Sequence, residues 1–192
     1  DPFAATLTGW DAYGGIEAMM GGHLMNADGR VSGDGYDVVH SPEDIQRLEP
    51  FDVARCPMMK NLLQTIELMR RKEPDEPIYA ILHVPPYVAF TLMGARYAFR
   101  TMIKAPEVFR SLARFAENAV VEASNVLVDA GLDFLWFPMP YFGGACISRR
   151  AYQECVSESN IRANKRIKEH GAKIVIHTCG PYDDRFDLVV LE

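Results

Sequence analysis

Ala172-Lys173-Ile174-Val175-Ile176-His177-Thr178-Cys179-Gly180 says most about the architecture of this chain. Its middle is a short apolar, β-branched run with a glycine before it (Gly171) and one after it (Gly180). A run of this length with no alternation of polar residues reads as a strand buried in a parallel sheet. The strand empties into His177-Thr178-Cys179, an imidazole and a thiol one residue apart. Those are the two donor types zinc binds best, and a single intervening residue at a strand end lets both turn to one side. As a bare motif the pair is unspecific, and the alternative is a chance His and Cys in a strand-to-loop turn.

The preceding segment Arg149–His170 reads as a helix with Ser148 as its N-cap and Gly171 as its stop. Before it, Leu132–Phe137 is a second apolar run, followed by a glycine loop at Gly143-Gly144. A helix is expected from Ala105 to Ala130, with Phe109, Leu112, Phe115, Ala119, Val126 and Leu127 on its inner side. A shorter helical stretch around Val88–Leu92 breaks at Gly94. Ile78–Val84 is a third buried-strand candidate, bounded by prolines, and the spacing of Met59, Leu62, Leu63, Ile66 and Met69 predicts an amphipathic helix over Met58–Lys72. Ser41-Pro42-Glu43-Asp44 has the chemistry of a short helix start, and Asp183–Glu192 reads as one more helix. Strands alternating with helices imply parallel βα units with right-handed crossovers. In a barrel the chemistry collects at the C-terminal strand ends, where His83, Pro138 to Tyr141 and His177 to Cys179 fall.

The first fifty residues are glycine-rich and weakly periodic: Gly14-Gly15, Gly21-Gly22, the run from Gly29 to Gly35, and a turn at Asn26–Arg30. They are expected to form an irregular segment, with βα units from 51 to 192, the whole being one partial barrel domain that lacks its C-terminal part.

The net charge of −6 argues against nucleic acid as a partner, because phosphate neutralisation needs a basic surface. The basic clusters Arg70-Arg71-Lys72, Arg149-Arg150 and Arg162 to Lys168 lie on predicted helices beside acids and read as solvated faces. There is no apolar run long enough for a membrane span and no leader pattern, so no membrane partner and a cytoplasmic location are expected. The four cysteines are too scattered for a disulfide scaffold and are expected to be free thiols or ligands. No glycine fingerprint follows any strand, which argues against a nucleotide site.

Several stretches, taken in order, resemble the uroporphyrinogen decarboxylase superfamily from about Ser41 to Glu192. They are Leu82-His83-Val84-Pro85-Pro86-Tyr87 followed by Leu92-Met93-Gly94, then Ala105-Pro106-Glu107, Asp129-Ala130-Gly131-Leu132-Asp133, Ile147-Ser148 and His177-Thr178-Cys179-Gly180. The His-x-Cys pair is absent from the decarboxylases and similar to that of the zinc-dependent corrinoid methyltransferase branch. The resemblance implies an α/β fold, a (β/α)8 TIM-type barrel present here only in part, because complete members are markedly longer. It implies that His177 and Cys179 are zinc ligands and carry the catalysis, with a third ligand, a cysteine, beyond residue 192. It further implies that a substrate thiol such as coenzyme M is activated by zinc and takes a methyl group from a methyl-cobamide borne on a corrinoid protein. The chain departs from the family at two points. The arginine-bearing N-terminal motif of the decarboxylases is not visible. The acidic residue common after the second strand is replaced by Phe137-Pro138-Met139-Pro140, which argues against an acid–base role there.

Weaker candidates are Tyr87 and Tyr141, which follow strand ends and are assigned to substrate binding with core packing as the alternative. Cys146, in the glycine loop, is a spare ligand candidate or a small buried hydrophobe. Cys155 reads as core, His83 as a packed histidine and Ser148 as a cap rather than a nucleophile. The rival functions are a cofactor-free decarboxylase of uroporphyrinogen type, a non-catalytic protein that binds corrinoid or metal, and methyl transfer in the opposite sense.

Overall fold

Among the described residues four strands pair in sequence order in one sheet, and every pairing is parallel: β1 Thr6–Leu7, β2 Tyr79–Ile81, β3 Phe134–Met139 and β4 Ile174–Thr178. The computed structural model describes Thr6, Leu7, Ile16 and residues 38–192. The expected turn at Asn26–Arg30 and the glycines from Gly14 to Gly35 lie outside the described residues. Consecutive parallel strands joined by helices are the winding of a (β/α) barrel, and this sheet supplies four of its strands in order. Strand β1 falls within the first fifty residues, read from sequence as irregular: a two-residue strand is too short to leave a periodic signal, and its pairing with β2 defines it.

The three apolar runs form strands, with shifted limits. β2 spans three residues, and Leu82, His83 and Val84 lead from it to the helix that starts at Pro85. β3 runs on through Pro138, a residue with no amide to donate. The last β2–β3 pair is Ile81 with Trp136, and the Leu82 amide still donates to the Trp136 carbonyl at 3.2 Å; the next bond of a parallel ladder would need an amide at 138, which Pro138 lacks.

Register separates the two faces. Leu135 pairs with Ile174, Phe137 with Ile176 and Met139 with Thr178. On β3 this set, like Ala80 of β2, is fully buried against the helices, and burying a side chain of the size of Phe137 is worth about 1.5–3 kcal/mol. The opposite parity puts Tyr79, Phe134, Trp136, Pro138, Val175 and His177 on the barrel-inner side. Tyr79 stacks there on Phe134 at 4.7 Å and on Trp136 at 5.7 Å.

The helices are α1 Pro42–Ile45, α2 Pro57–Lys72, α3 Pro85–Met93, α4 Ala95–Lys104, α5 Pro106–Asp129, α6 Arg149–Tyr152, α7 Glu158–Glu169 and α8 Phe186–Val189. All of α3 is buried, and α3, α5 and α7 pack on one another over the outer face of the sheet. Helix α4 has no counterpart among the expected elements. Gly94 (φ 69°) breaks the chain direction but a new helix starts at once, so the glycine is a corner between two helices and not an exit to a loop. The inner stripe of α5 is built of Phe109, Leu112, Ala116, Val120, Ala123 and Leu127, while Phe115 and Val126 are only half-buried. Ser41 occupies the N-cap position of α1 without a side-chain capping bond; its hydroxyl donates to Asp44 Oδ2, which also accepts from the His40 amide. The helix expected over Asp183–Glu192 shrinks to the single turn α8.

The stretch read as one helix from Arg149 to His170 carries a π turn, Gln153–Ser157, between α6 and α7. It has a structural consequence. Residues seven apart share a face of an α-helix, and the π turn inserts one more residue. Tyr152 and Asn160, eight apart, therefore both reach the buried Glu192 carboxylate, at 2.6 and 2.8 Å.

At the N-terminal end of the sheet, Arg70 of α2 donates to the carbonyls of Pro74, Glu76 and Gly131 and to Asp133 Oδ2 at 2.7 Å. The same oxygen accepts from the Ile78 amide at 2.7 Å. Burial alone would raise the Asp133 carboxyl, but the Ile78 amide and the Arg70 guanidinium outweigh it and hold it below the usual carboxylate range. This clamp belongs to the stability end of a barrel, opposite the end where chemistry collects.

Candidate functional site

His177 is the fourth residue of β4 and Cys179 lies one residue past its end. His177 lies on the inner face with Trp136 and Pro138, and Cys179, two residues on, follows the end of the strand. His177 pairs directly with Pro138, its ring 5.5 Å from that of Trp136, and it is exposed; Cys179 is half-buried. Burial pushes the Cys179 thiol up. Gly180 then takes φ +96°, a conformation that disfavours any side chain, and the chain turns away from the sheet.

The segment after Gly180 is strapped onto the β3–α6 loop. The Gly144 amide donates to the Pro181 carbonyl at 2.8 Å, and the Tyr182 hydroxyl donates to the Met139 carbonyl at 2.7 Å. The fit at Gly143 is close. A Cβ there would lie 3.0 Å from the Pro181 oxygen, 3.1 Å from the Tyr182 ring and 3.3 Å from the Cys179 oxygen. Cys146 sits in the same loop, in a turn closed by its amide to the Gly143 carbonyl at 3.0 Å, and is exposed. Burial above all, then the Glu192 carboxylate, pushes the Tyr182 hydroxyl up; the Cys179 and Cys146 thiols add to the shift, so both lie near it.

Among the described residues no three of His, Cys, Asp and Glu converge on a point that would hold a metal. An imidazole and a thiol two residues apart at a C-terminal strand end fit a zinc site in kind and would supply two of its ligands.

The aromatic candidates separate. Tyr87 is 7% exposed, its ring held by His83 (4.3 Å, edge-on), Phe90, Phe142 and Tyr141. Tyr141 stacks on Phe90 at 4.9 Å and is only half-buried, so of the two it keeps surface for a ligand. His83 is buried in this cluster. Cys155 is 2% exposed and its thiol is pushed up to about 11 by burial, in keeping with a core residue. Ser148 accepts from the Ala151 amide at 3.2 Å, as a cap does.

Sequence reasoning missed Tyr182 and Arg185. Arg185 is wholly buried, which no local pattern announces; the neighbouring Asp184, its partner, is the one signal that was there to read. Gly143-Gly144 was legible as a loop, though not as the surface on which the next loop docks.

The fold and the site together define a parallel βα-barrel protein with an imidazole and a thiol at the mouth of its fourth strand. The profile of the family described as Uroporphyrinogen decarboxylase (URO-D) matches residues 16–189, and the chain belongs to that family. It is 23% identical over 132 residues to "Methylcobamide:CoM methyltransferase MtaA" of Methanosarcina barkeri, a match covering 68% of this chain and 38% of that protein. The match to the same protein of the Fusaro strain has the same extent. Among solved structures, a "methyltransferase from Methanosarcina mazei" superposes with a TM-score of 0.69 at 20% identity, over 91% of this chain and 51% of the other. The chain thus spans less than two-fifths of the length of these curated relatives and about half of the solved structure. No helix of the described residues is long and apolar enough to cross a membrane.

Proposed function

We propose that this chain carries part of the active site of a corrinoid-dependent methyltransferase, in which His177 and Cys179 hold zinc and a methyl group passes from a protein-bound methyl-cobamide to a thiol such as coenzyme M. The observation that carries this reading is His177 on the inner face at the C-terminal end of β4, with Cys179 directly after the strand, in a family member similar to a protein named for that reaction. When bound, zinc would supply the Lewis acidity that lets a substrate thiol lose its proton near neutral pH.

The chain's own residues have definable tasks. His177 and Cys179 orient the site toward the barrel-inner side, Trp136 packs beside the imidazole and limits its rotation, and Tyr141 offers an aromatic wall at the mouth. A third protein donor and one open position complete such a site. A methyl-cobamide, when bound, would supply the methyl group, and the thiol held at the site would supply the accepting sulfur. The rival decarboxylase reading lacks its acid–base group, since Pro138-Met139-Pro140 occupy the end of β3.

The test is metal analysis and turnover of the whole protein, purified without chelator. The expectation is about one zinc per chain, most of it lost in Cys179→Ala, together with thiol-dependent loss of the methyl-cobamide absorbance that stops when zinc is removed. Full metal retention in Cys179→Ala, or no turnover with any thiol, would overturn the proposal.

A further inference from the structure

Cys179 is the one member of the pair that the sheet does not hold. His177 is fixed by its ladder pair with Pro138, whereas Cys179 follows the last residue of β4. Its position is set by where the loop after it docks, and the deepest anchor of that loop is Arg185.

Arg185 is 0% exposed, and all five of its guanidinium N–H donors have an acceptor. Nε and Nη2 bond Asp184 Oδ1 and Oδ2, both at 2.8 Å. Nη1 reaches the Phe142 carbonyl at 3.0 Å and, at 3.5 Å, that of Ser148; Nη2 reaches the Ile147 carbonyl at 2.9 Å. The guanidinium carbon also lies 5.4 Å from the Tyr152 ring centroid. A single planar fork therefore reads three carbonyls of the Gly143-Gly144 loop while its paired carboxylate neutralises it. A buried charge is tolerated only when paired and hydrogen-bonded to this degree. The Gly144–Pro181 and Tyr182–Met139 bonds lie on the same strap, between Arg185 and Cys179.

We infer that Arg185 is a positioning residue: by clamping the 181–185 segment onto the 142–148 loop, it sets where the Cys179 thiol stands relative to His177. It touches neither metal nor substrate and acts through the strap. The metal half of this inference rests on the proposed function; the placement of the thiol does not.

Arg185→Lys separates the two, because it keeps the charge but loses the planar fork. Two readouts are taken on the whole protein in a Cys146→Ser background: the reaction rate of metal-free Cys179 with a thiol reagent, and the absorption spectrum on titration with Co(II) alone. The expected results are a Cys179 rate about tenfold higher or more, the scale set by loss of charge-assisted hydrogen bonds, and Co(II) affinity about 10–100-fold weaker, as for other residues that orient ligands. The intense visible bands of a tetrahedral site should fade. An unchanged Cys179 rate with only a lower melting temperature would make Arg185 purely structural and overturn the inference. If the parent protein itself shows no thiolate–cobalt band, the metal reading fails, and the thiol rates still decide the role of Arg185. Should Arg185→Lys not fold, Tyr182→Phe, which removes the bond to the Met139 carbonyl, is expected to speed Cys179 in the same assay; no change in rate would overturn the strap.

Discussion

A single methyl group added at Gly143 tests the docking of the two loops with little else disturbed. Gly143 is buried and is not among the described glycines of positive φ, so Gly143→Ala adds steric bulk without backbone strain. The new Cβ would meet the Pro181 and Cys179 oxygens and the Tyr182 ring at 3.0–3.3 Å. Two of these contacts are backbone and cannot swing aside, so the loop carrying Cys179 must retreat by a few tenths of an ångström. Overpacking of this kind costs typically about 1–3 kcal/mol, and the lower chain entropy of alanine in the unfolded state returns about 0.4–1. The midpoints of these ranges leave a net loss of about 1.3 kcal/mol, or a melting temperature lower by roughly 3–5 °C for a domain of this size. Gly144→Ala is the control. Its Cβ would find nothing nearer than 3.4 Å, ordinary contact, so its melting temperature should hold or rise slightly. Calorimetry of both variants, with zinc affinity measured by chelator competition, checks this. Zinc binding should weaken in Gly143→Ala and not in Gly144→Ala. Equal melting temperatures for the two variants, or the reverse order, would refute the reasoning.

Two further outcomes concern the charged groups. Asp133→Asn should cost about 1 kcal/mol or less at neutral pH, because the pair with Arg70 is partly exposed. The folded Asp133 carboxyl lies below its ordinary value of 3.8. Its contribution is therefore present above that value and lost as pH falls through the lower one, so urea midpoints of parent and variant should converge in acid; a gap that persists there would refute the assignment. Glu192 behaves in the opposite sense: burial pushes its carboxyl up to about 7 from 4.5. Its stabilising effect is full below 4.5 and disappears as pH rises through about 7, a loss on the order of 3 kcal/mol. Glu192→Gln should abolish that loss, so the parent should weaken relative to the variant between about pH 5 and 8. Parallel stability curves over this range would show that Glu192 is not held in a protonated, buried network.

The succession of parallel strands and helices is written in the chain itself, because Ile78–Val84, Leu132–Phe137 and Ala172–His177 are short apolar runs between helical stretches and read as strands. So is the placing of His177 and Cys179 together at a strand end, since they stand two residues apart in the chain. Local pattern reaches no further. Helix α4 hides behind Gly94, which reads as a stop and is a corner; β1 exists only through its partner; the π turn is invisible until Tyr152 and Asn160 are seen to share the Glu192 carboxylate. Where the thiol stands is settled only by tertiary packing. Gly143, Tyr182 and Arg185 are inconspicuous in the chain, and they matter because contacts between residues some forty positions apart press one loop onto another. Such contacts depend on how the strands and helices assemble in space, and neither propensity nor periodicity encodes that.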